Sequence, residues 1–343
     1  MKNLNLLEKF IFLINSICAV LLLFSYLLPY IPPHIFPALS VLSLLLPVLL
    51  ITNFLFFLFW LFKAKRQLLL SAVILALGVT HIFSLIRFGG GSDTKQVDTL
   101  TLLTYNVRQF NVYGWVEEAN VGKRAIAFIE DQNPDIVCLQ EYHPDFELDA
   151  KKFPFKHKVM RPANSKFGQV IFSKFPIVHS GSLDFGKKGN NGIYADIKVG
   201  QDTIRAYNMH FQSFRLSPSL NNLQKENSKK LLGRLGVAFE KQEDQVKKFL
   251  QSEAASPHKV IVAGDFNNSA TSYMYRKVRG DKVDAFAKAG SGAGATFWFD
   301  IIPLRIDFIL ADEQLEVLDF ETYGDIDLSD HKPSMATFKR LRQ

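Results

Sequence analysis

The stretch Val260-Ile261-Val262-Ala263-Gly264-Asp265-Phe266-Asn267-Asn268 decides how the second part of the chain is organised. Small or β-branched apolar residues run into a glycine, which is typical of a strand buried on both faces. Such a strand does not hold a charge in its middle, so we expect Asp265 at its carboxyl end, where the sheet opens to water. Residues two apart in an extended stretch point to the same side, so Asp265 and Asn267 are predicted to face one site. The alternative is a strand that simply ends in an Asx-type turn.

Other short stretches of the second part of the chain carry polar, potentially reactive groups at the end of an apolar run or just before one. They are Thr104-Tyr105-Asn106, Val137-Cys138-Leu139-Gln140-Glu141, Ala206-Tyr207-Asn208-Met209-His210, Arg305-Ile306-Asp307-Phe308-Ile309-Leu310 and Ser329-Asp330-His331-Lys332-Pro333. Taken in this order, over residues 99 to 339, the set resembles the endonuclease/exonuclease/phosphatase superfamily. Several unrelated signatures in the right order make this resemblance specific.

The fold class is predicted to be α/β. From Thr99 onward, strand and helix patterns alternate, which suits sheets covered by helices. The resemblance implies a four-layer α/β sandwich, with two mostly antiparallel sheets flanked by helices, over residues 99–343. Residues 221–251 are rich in Lys, Glu, Leu and Gln and predict a long exposed helix, interrupted near Gly233 and Gly236.

The resemblance also implies a metal site. Glu141 corresponds to the principal ligand of a Mg²⁺ ion, with Asn106 beside it and Asp330 assisting at the metal or the phosphate. Mg²⁺ binds through one or two carboxylates, water and phosphate oxygens, and Mn²⁺ is the ion expected to replace it. Asp265 is implied to align or deprotonate the attacking water, and Asn267 to hold the phosphate.

His331 is the strongest single candidate for proton transfer. An imidazole passes protons near neutral pH, and a carboxylate on its other nitrogen fixes the tautomer. The resemblance pairs His331 with Asp307, whereas a helix-capping Asp-His is the structural alternative. His210 is implied to donate to a nonbridging phosphate oxygen with support from Asn208, a predicted substrate-binding residue. A histidine satisfied at a strand end is the alternative for His210.

Residues 1–88 predict a helical membrane anchor with three transmembrane helices. Three long apolar runs cover residues 10–31, 36–62 and 68–88, each of about the 20 residues needed to cross a bilayer. A signal peptide has one short apolar region, and buried helices of a soluble domain would show polar stripes. Cys18 lies in the first run and Cys138 in a strand, so both are read as small buried hydrophobic residues.

The positive charges of the short loops predict the orientation of this anchor. Lys63, Lys65 and Arg66 lie between the second and third runs and are expected in the cytoplasm, as is the amino terminus. The third span then runs outward and leaves the catalytic domain periplasmic or at the cell surface, in an integral multi-pass membrane protein. Residues 89–98 begin with Gly89-Gly90-Gly91-Ser92 and predict a flexible linker or a helix terminator.

The function that follows is a membrane-anchored, Mg²⁺-dependent phosphodiesterase or phosphatase acting outside the cytoplasm. Its partners are the lipid bilayer and a phosphate ester: a phospholipid head group, a sugar or inositol phosphate, or nucleic acid. Residues 1–92 carry six basic side chains and one acidic, so the net charge of +7 is largely a topology signal. A nuclease of the same superfamily and a non-catalytic binding module with this fold are the alternatives. The sequence indicates no protein partner.

Overall fold

The computed structural model describes residues 4–87, 89–90, 98–160, 165–186, 189–216 and 225–340. The predicted linker therefore falls largely outside the described residues, as do residues 341–343 of the predicted catalytic domain. The amino-terminal helices are α1 (Leu6–Leu27), α2 (Leu42–Phe62), α3 (Leu68–Leu77) and α4 (Val79–Leu85).

Two helices are long and apolar enough to cross a membrane, and they span Leu6–Tyr30 and Leu39–Phe62. Helices α3 and α4 pass the same test only as a pair, which is bent by 64° at Gly78. Gly78 lies against the Tyr26 ring, where a Cβ atom would come within 2.0 Å of the hydroxyl oxygen. The sequence predicts three spans. The structure has two candidate spans, and a third only if the bent pair of α3 and α4 crosses the membrane as a single span.

The three apolar segments pack with their polar side chains inward. Asn15 donates to Ser71 Oγ at 2.8 Å and accepts from Trp60 Nε1 at 3.0 Å, and all three residues are buried. Large apolar side chains of the same helices point outward, such as Leu6 and Phe62, which are both 84% exposed. This is the reverse of the pattern of a water-soluble bundle.

Among the described residues, the second part of the chain contains four α-helices and fourteen strands. The helices are α5 (Val121–Gln132), α6 (Ser228–Ala254), α7 (Tyr273–Arg279) and α8 (Ala285–Ala289). The strands are β1 (Thr99–Asn106), β2 (Ile136–Tyr142), β3 (Phe155–Met160), β4 (Gly168–Ser173), β5 (Ile177–Ser182), β6 (Asn191–Val199), β7 (Asp202–His210), β8 (Lys259–Asp265), β9 (Val283–Asp284), β10 (Phe297–Phe299), β11 (Ile302–Leu304), β12 (Asp307–Ala311), β13 (Val317–Thr322) and β14 (Ser334–Lys339).

The strands form two six-stranded sheets with orders β13-β14-β1-β2-β4-β3 and β5-β6-β7-β8-β12-β9, and β10 and β11 form a separate hairpin. Each large sheet has one parallel pair, β1 with β2 and β7 with β8, and its other pairs are antiparallel. One apolar cluster with Leu102, Ile171 and Ile261 fills the space between the sheets. Helix α5 covers the first sheet, and helices α6 and α7 cover the second. The chain therefore has the predicted α/β sandwich of two sheets flanked by helices.

Helix α6 differs from its prediction in two respects. It runs without interruption through Gly233 and Gly236, and one face is buried through Leu235, Phe239 and Phe249. A helical glycine is destabilising by about 1 kcal/mol relative to alanine, and the packing of this face outweighs that preference. Residues 221–224 of the predicted helix lie outside the described residues.

The apolar helices contact the sandwich on one side. Four hydrogen-bonded contacts join them: His34 with Glu243, the Ser43 carbonyl with Thr271, the Ser84 carbonyl with Arg305, and Arg87 with Gly292. These contacts fix the sandwich against the helices, whereas the glycine-rich sequence suggests a freely moving domain. Partners such as His34, Ser43 and Glu243 lie far from the linker in the sequence, so the linker composition does not reveal these contacts.

Candidate active site

The two parallel strand pairs and β12 bring six predicted site residues to one end of the sandwich. Asn106 ends β1, Glu141 lies near the end of β2, His210 ends β7, Asp265 ends β8, Asp307 begins β12, and His331 precedes β14. Asp265 is the register partner of both His210 and Asp307. Parallel neighbours end at the same edge of a sheet, so the topology itself gathers these side chains.

The carboxylate of Asp265 is the centre of the arrangement. Its Oδ2 accepts hydrogen bonds from the side-chain amides of Asn106 and Asn267, both at 3.0 Å. The Nε2 atoms of His210 and His331 lie 3.7 and 3.8 Å from the same oxygen. Burial raises the pKa of Asp265 to about 6; the Asp307 charge raises it further, and the histidines oppose the shift.

Asn267 reaches Asp265 because of an unusual backbone conformation. Its φ is +50°, in the left-handed region that asparagine tolerates better than most residues. Its own N–H donates to Asp265 Oδ1 at 2.7 Å. The structure thus places Asp265 and Asn267 at one site. The backbone hydrogen bond to the Asp265 side chain is also the one that defines an Asx turn, the alternative considered for this stretch.

His331 and Asp307 form a buried pair. His331 Nδ1 lies 2.9 Å from Asp307 Oδ2, and the two residues are 6% and 2% exposed. Burial alone would lower the pKa of His331, but the carboxylates of Asp307 and Asp265 outweigh it and raise the pKa to about 10. The imidazole is therefore held in its charged form, with Nε2 turned towards Asp265.

Glu141 lies at the open side of the same end. Its φ is +50°, and the pairing of β2 with β4 shifts register between Leu139 and Tyr142. This bulge re-aims the side chain, which is 26% exposed and lies 3.9 Å from His210 Nε2. A conformation of this kind is costly for glutamate and is typical of functional sites.

Asn106 and Asp330 are joined through two further residues. Arg108 donates its backbone N–H to Asn106 Oδ1 at 3.1 Å, and its guanidinium lies 3.2 Å from Asp330 Oδ2. Ser329 donates to the Asn106 carbonyl at 2.8 Å. The structure therefore brings Asp330 to the Asn106 side of the site.

Comparison with known protein families gives two matches. Residues 103–331 match the model of the endonuclease/exonuclease/phosphatase family. The chain belongs to this family. Residues 8–85 match a domain of unknown function, DUF8431. No curated protein matches the chain.

Several solved structures have the same fold as the second part of this chain. An endonuclease/exonuclease/phosphatase from Bacteroides vulgatus is 19% identical, with a TM-score of 0.55 over 71% of this chain and 100% of its own. TDP2 of D. rerio in complex with a single-strand DNA product is 15% identical, with a TM-score of 0.53 over 71% and 100%. The human Nocturnin catalytic domain with bound sulfate is 16% identical, with a TM-score of 0.50 over 71% and 96%.

Enzymes of the endonuclease/exonuclease/phosphatase family typically use a divalent metal, and two groups of residues in this site are possible ligands. Asp265, Asp307 and His331 offer ligand atoms that lie within 4.8 Å of one another. All three are buried, and His331 Nδ1 is already bonded to Asp307. Glu141, Asn106 and Asp330 instead offer oxygen atoms, and two of these residues are carboxylates. The second set consists of oxygen donors alone, the ligands that hard ions favour, whereas the first set joins an imidazole to two carboxylates.

Asn208 lies between the two sheets, beneath the site. This residue is fully buried, and its side-chain amide donates to the carbonyls of Leu139 and Val170, both at 2.9 Å. Its Oδ1 accepts from Gln140 Nε2 at 2.8 Å. Asn208 therefore joins the two sheets beneath the site, and its role in substrate binding stays a prediction. Sequence spacing cannot separate these roles, because strand ends and inter-sheet positions alternate residue by residue.

Three further residues lie near the site and are absent from the sequence prediction. Arg108 places a cation beside Asp330, and its guanidinium lies 4.6 Å from the Trp115 ring. Thr296 Oγ1 accepts from the Asp307 N–H at 3.1 Å, and the Phe297 ring centroid lies 5.2 Å from that of His331. Thr296 and Phe297 belong to a loop-rich region whose sequence gives no clue to their position. Arg108 could have been found, because it is a basic residue only two positions after Asn106.

Proposed function

We propose that this chain is a membrane-anchored, Mg²⁺-dependent hydrolase of phosphate esters whose catalytic domain faces away from the cytoplasm. The observation that carries the proposal is the position of Asp265 Oδ2. One carboxylate oxygen lies within 3.0 to 3.8 Å of two amides and two imidazoles, beside the His331–Asp307 pair. A phosphate and an attacking water need this combination of a base, hydrogen-bond donors and a proton donor.

The roles follow from the charge state of each group. Asp265 is positioned to orient the water and accept its proton, and its raised pKa makes it a better base than an ordinary aspartate. His331, kept protonated by Asp307, donates to a phosphate oxygen. His210 and Asn267 hold the nonbridging oxygens. The oxygen of water bonds to phosphorus and its proton passes to Asp265, while the ester P–O bond breaks and the leaving oxygen takes its proton from His331.

Glu141, Asn106 and Asp330 are the residues that would hold the divalent cation. Such an ion supplies positive charge to the phosphate oxygens. Mg²⁺ suits the oxygen donors, and Mn²⁺ is expected to replace it. The Arg108 guanidinium lies 3.2 Å from the Asp330 carboxylate and orients it.

The membrane placement has its own support. The amino-terminal helices carry polar residues inside and apolar residues outside, as lipid-facing helices do. Lys63, Lys65 and Arg66 lie between α2 and α3, whereas the contacts to the sandwich come from residues 34–43 and 84–87. The basic turn and the catalytic domain thus occupy opposite ends of the helices, which agrees with the positive-inside orientation.

A nuclease is the second candidate, favoured by the TDP2 relative that holds a DNA product. The basic and aromatic stretch at residues 151–158 argues mildly against it, because three of its four lysines form ion pairs. Lys156 and Lys158 pair with Glu147, and Lys152 pairs with Glu130. A nucleic-acid groove needs free cations along its length.

The test uses the full chain in detergent micelles, because the helices contact the sandwich. Hydrolysis of bis-p-nitrophenyl phosphate is measured with Mg²⁺ and with a chelator, followed by plasmid DNA, sphingomyelin and inositol phosphates. We expect hydrolysis only with the metal. The absence of hydrolysis of every ester would support the remaining alternative, a non-catalytic binding module.

A further inference from the structure

The β10–β11 hairpin exposes apolar side chains beside the catalytic site. Ile301, in its turn, is 82% exposed, and Trp298 on β10 is 39% exposed. Ile301 is the most exposed large apolar side chain among the described residues of the sandwich. Exposed residues of this kind, when grouped, mark surfaces that contact a partner or a membrane.

Both ends of this hairpin are attached to the carboxyl end of the helical anchor. On the entering side, Gly292 and Arg87 exchange backbone hydrogen bonds of 2.8 and 2.9 Å. On the leaving side, the buried Arg305 donates to the Ser84 carbonyl at 3.1 Å. The segment from residue 292 to residue 305 is therefore attached near the end of α4 at both of its ends, and the hairpin forms its middle part.

The hairpin is short enough to stay close to this point of attachment. Ile301 is four residues from Arg305, so the two Cα atoms lie within about 14 Å of each other even in a fully extended chain. The polar interface on each side of a bilayer is about 5 to 8 Å thick. The turn is thus within reach of lipid if α4 ends at the membrane surface.

We propose that the β10–β11 hairpin contacts the interfacial layer of the bilayer and opens the catalytic site towards lipid head groups. The proposal rests on the membrane placement and the hydrolase function proposed above. Tryptophan is favoured at this depth of a membrane, and the Lys332 ammonium lies 5.6 Å from the Trp298 ring centroid. Asp300, exposed in the turn, keeps the tip in the polar layer.

The same hairpin reaches the catalytic histidine. Phe297 forms a backbone bridge with His331, and the Lys332 N–H donates to the Thr296 carbonyl at 2.7 Å. A surface that contacts lipid is therefore continuous with the residue that donates the proton. The substrate class that fits is a phosphate ester carried by a lipid, rather than a soluble phosphate or a nucleic acid.

The lipid contact is tested by fluorescence quenching in the full chain. Ile301→Cys, in a Cys18→Ala background, carries an environment-sensitive fluorophore in nanodiscs of phosphatidylcholine and phosphatidylglycerol. The matched control is Val178→Cys on β5, which is 60% exposed and lies in the edge strand opposite β9. Lipids with a nitroxide head group should quench the label at position 301 at least threefold more than at 178. Equal quenching at positions 301 and 178 would overturn the proposal. Pro303→Cys provides a second labelling position on the hairpin.

The substrate class is tested by a ratio of activities. Ile301→Asp is compared with the unmodified chain for release of head-group product from the same nanodiscs and for hydrolysis of bis-p-nitrophenyl phosphate. The ratio of lipid to soluble activity should fall about tenfold. An unchanged ratio, or soluble activity without any lipid product, would overturn the lipid-substrate assignment. Absence of both activities from the unmodified chain would instead refute the hydrolase function, and the quenching result would still decide the lipid contact.

Discussion

Replacement of Asp307 by asparagine is the sharpest perturbation of the proposed proton donor. The carboxylate lies 2.9 Å from His331 Nδ1, and both groups are buried. Asp307→Asn keeps the shape but removes the charge that favours the imidazolium. The pKa of His331 should fall from its raised value towards the usual range, because burial then acts with less opposition.

The size of the effect follows from what the pair does. General acid–base help contributes about 10²- to 10⁴-fold, and the carboxylate behind a catalytic histidine supplies part of that help. We therefore expect kcat to fall by about 10²- to 10³-fold, which is about 3 to 4 kcal/mol in activation free energy. The alkaline limb of the pH–rate profile should also move to lower pH, because His331 loses its proton earlier.

The assay is hydrolysis of bis-p-nitrophenyl phosphate by the full chain with Mg²⁺, as a function of pH. Asp312→Asn is the matched control, since Asp312 directly follows the other end of β12 and accepts from the Gln314 N–H at 3.0 Å. That control should keep the activity of the unmodified chain. A kcat for Asp307→Asn within threefold of the unmodified chain, with an unmoved alkaline limb, would refute the assigned roles.

Three further outcomes are expected. Glu141→Ala should raise the Mg²⁺ concentration needed for half-maximal hydrolysis at least tenfold, and an unchanged titration would remove Glu141 from the metal site. Arg205→Met should lower the free energy of unfolding by about 3 kcal/mol at pH 7, because Asp196 would remain buried without its partner at 2.6 Å. Burial raises the pKa of Asp196, but Arg205 lowers it more, so the pair stabilises the fold above the unfolded pKa of about 4. That stability is lost as the pH falls through the lowered folded pKa, so thermal melting curves of the two proteins should converge below about pH 4. A reporter fused after Gln343 should be active only outside the cytoplasm, and cytoplasmic activity would contradict the orientation.

The sequence predicts the framework of the site because its strongest signals are local. The apolar run from Val260 to Ala263 is a strand buried between helices and the other sheet, and Asp265 lies at its end. The convergence of strand ends then follows from parallel pairing, which an apolar run bounded by glycine already suggests. The fold class could therefore be anticipated, and the gathering of Glu141, Asp265 and His331 at one end is expected from the resemblance to the endonuclease/exonuclease/phosphatase superfamily.

Other features depend on contacts between distant parts of the chain, which local patterns do not contain. Asn208 has the spacing of a site residue, but the approach of the second sheet buries it. Helix α6 looks exposed and broken by glycines, but tertiary packing buries one face and keeps it whole. The Tyr26 ring that packs against Gly78, at the bend, comes from a residue 52 positions earlier in the chain.

The most direct test of the central claim is the dependence of phosphate-ester hydrolysis on Mg²⁺ in the full chain and in Glu141→Gln and His331→Ala. A single metal-assisted centre predicts saturable activation of the unmodified chain, a weakened metal response in Glu141→Gln, and a normal metal response with turnover reduced by orders of magnitude in His331→Ala. Hydrolysis that persists in a chelator, or that both variants leave intact, would contradict the account.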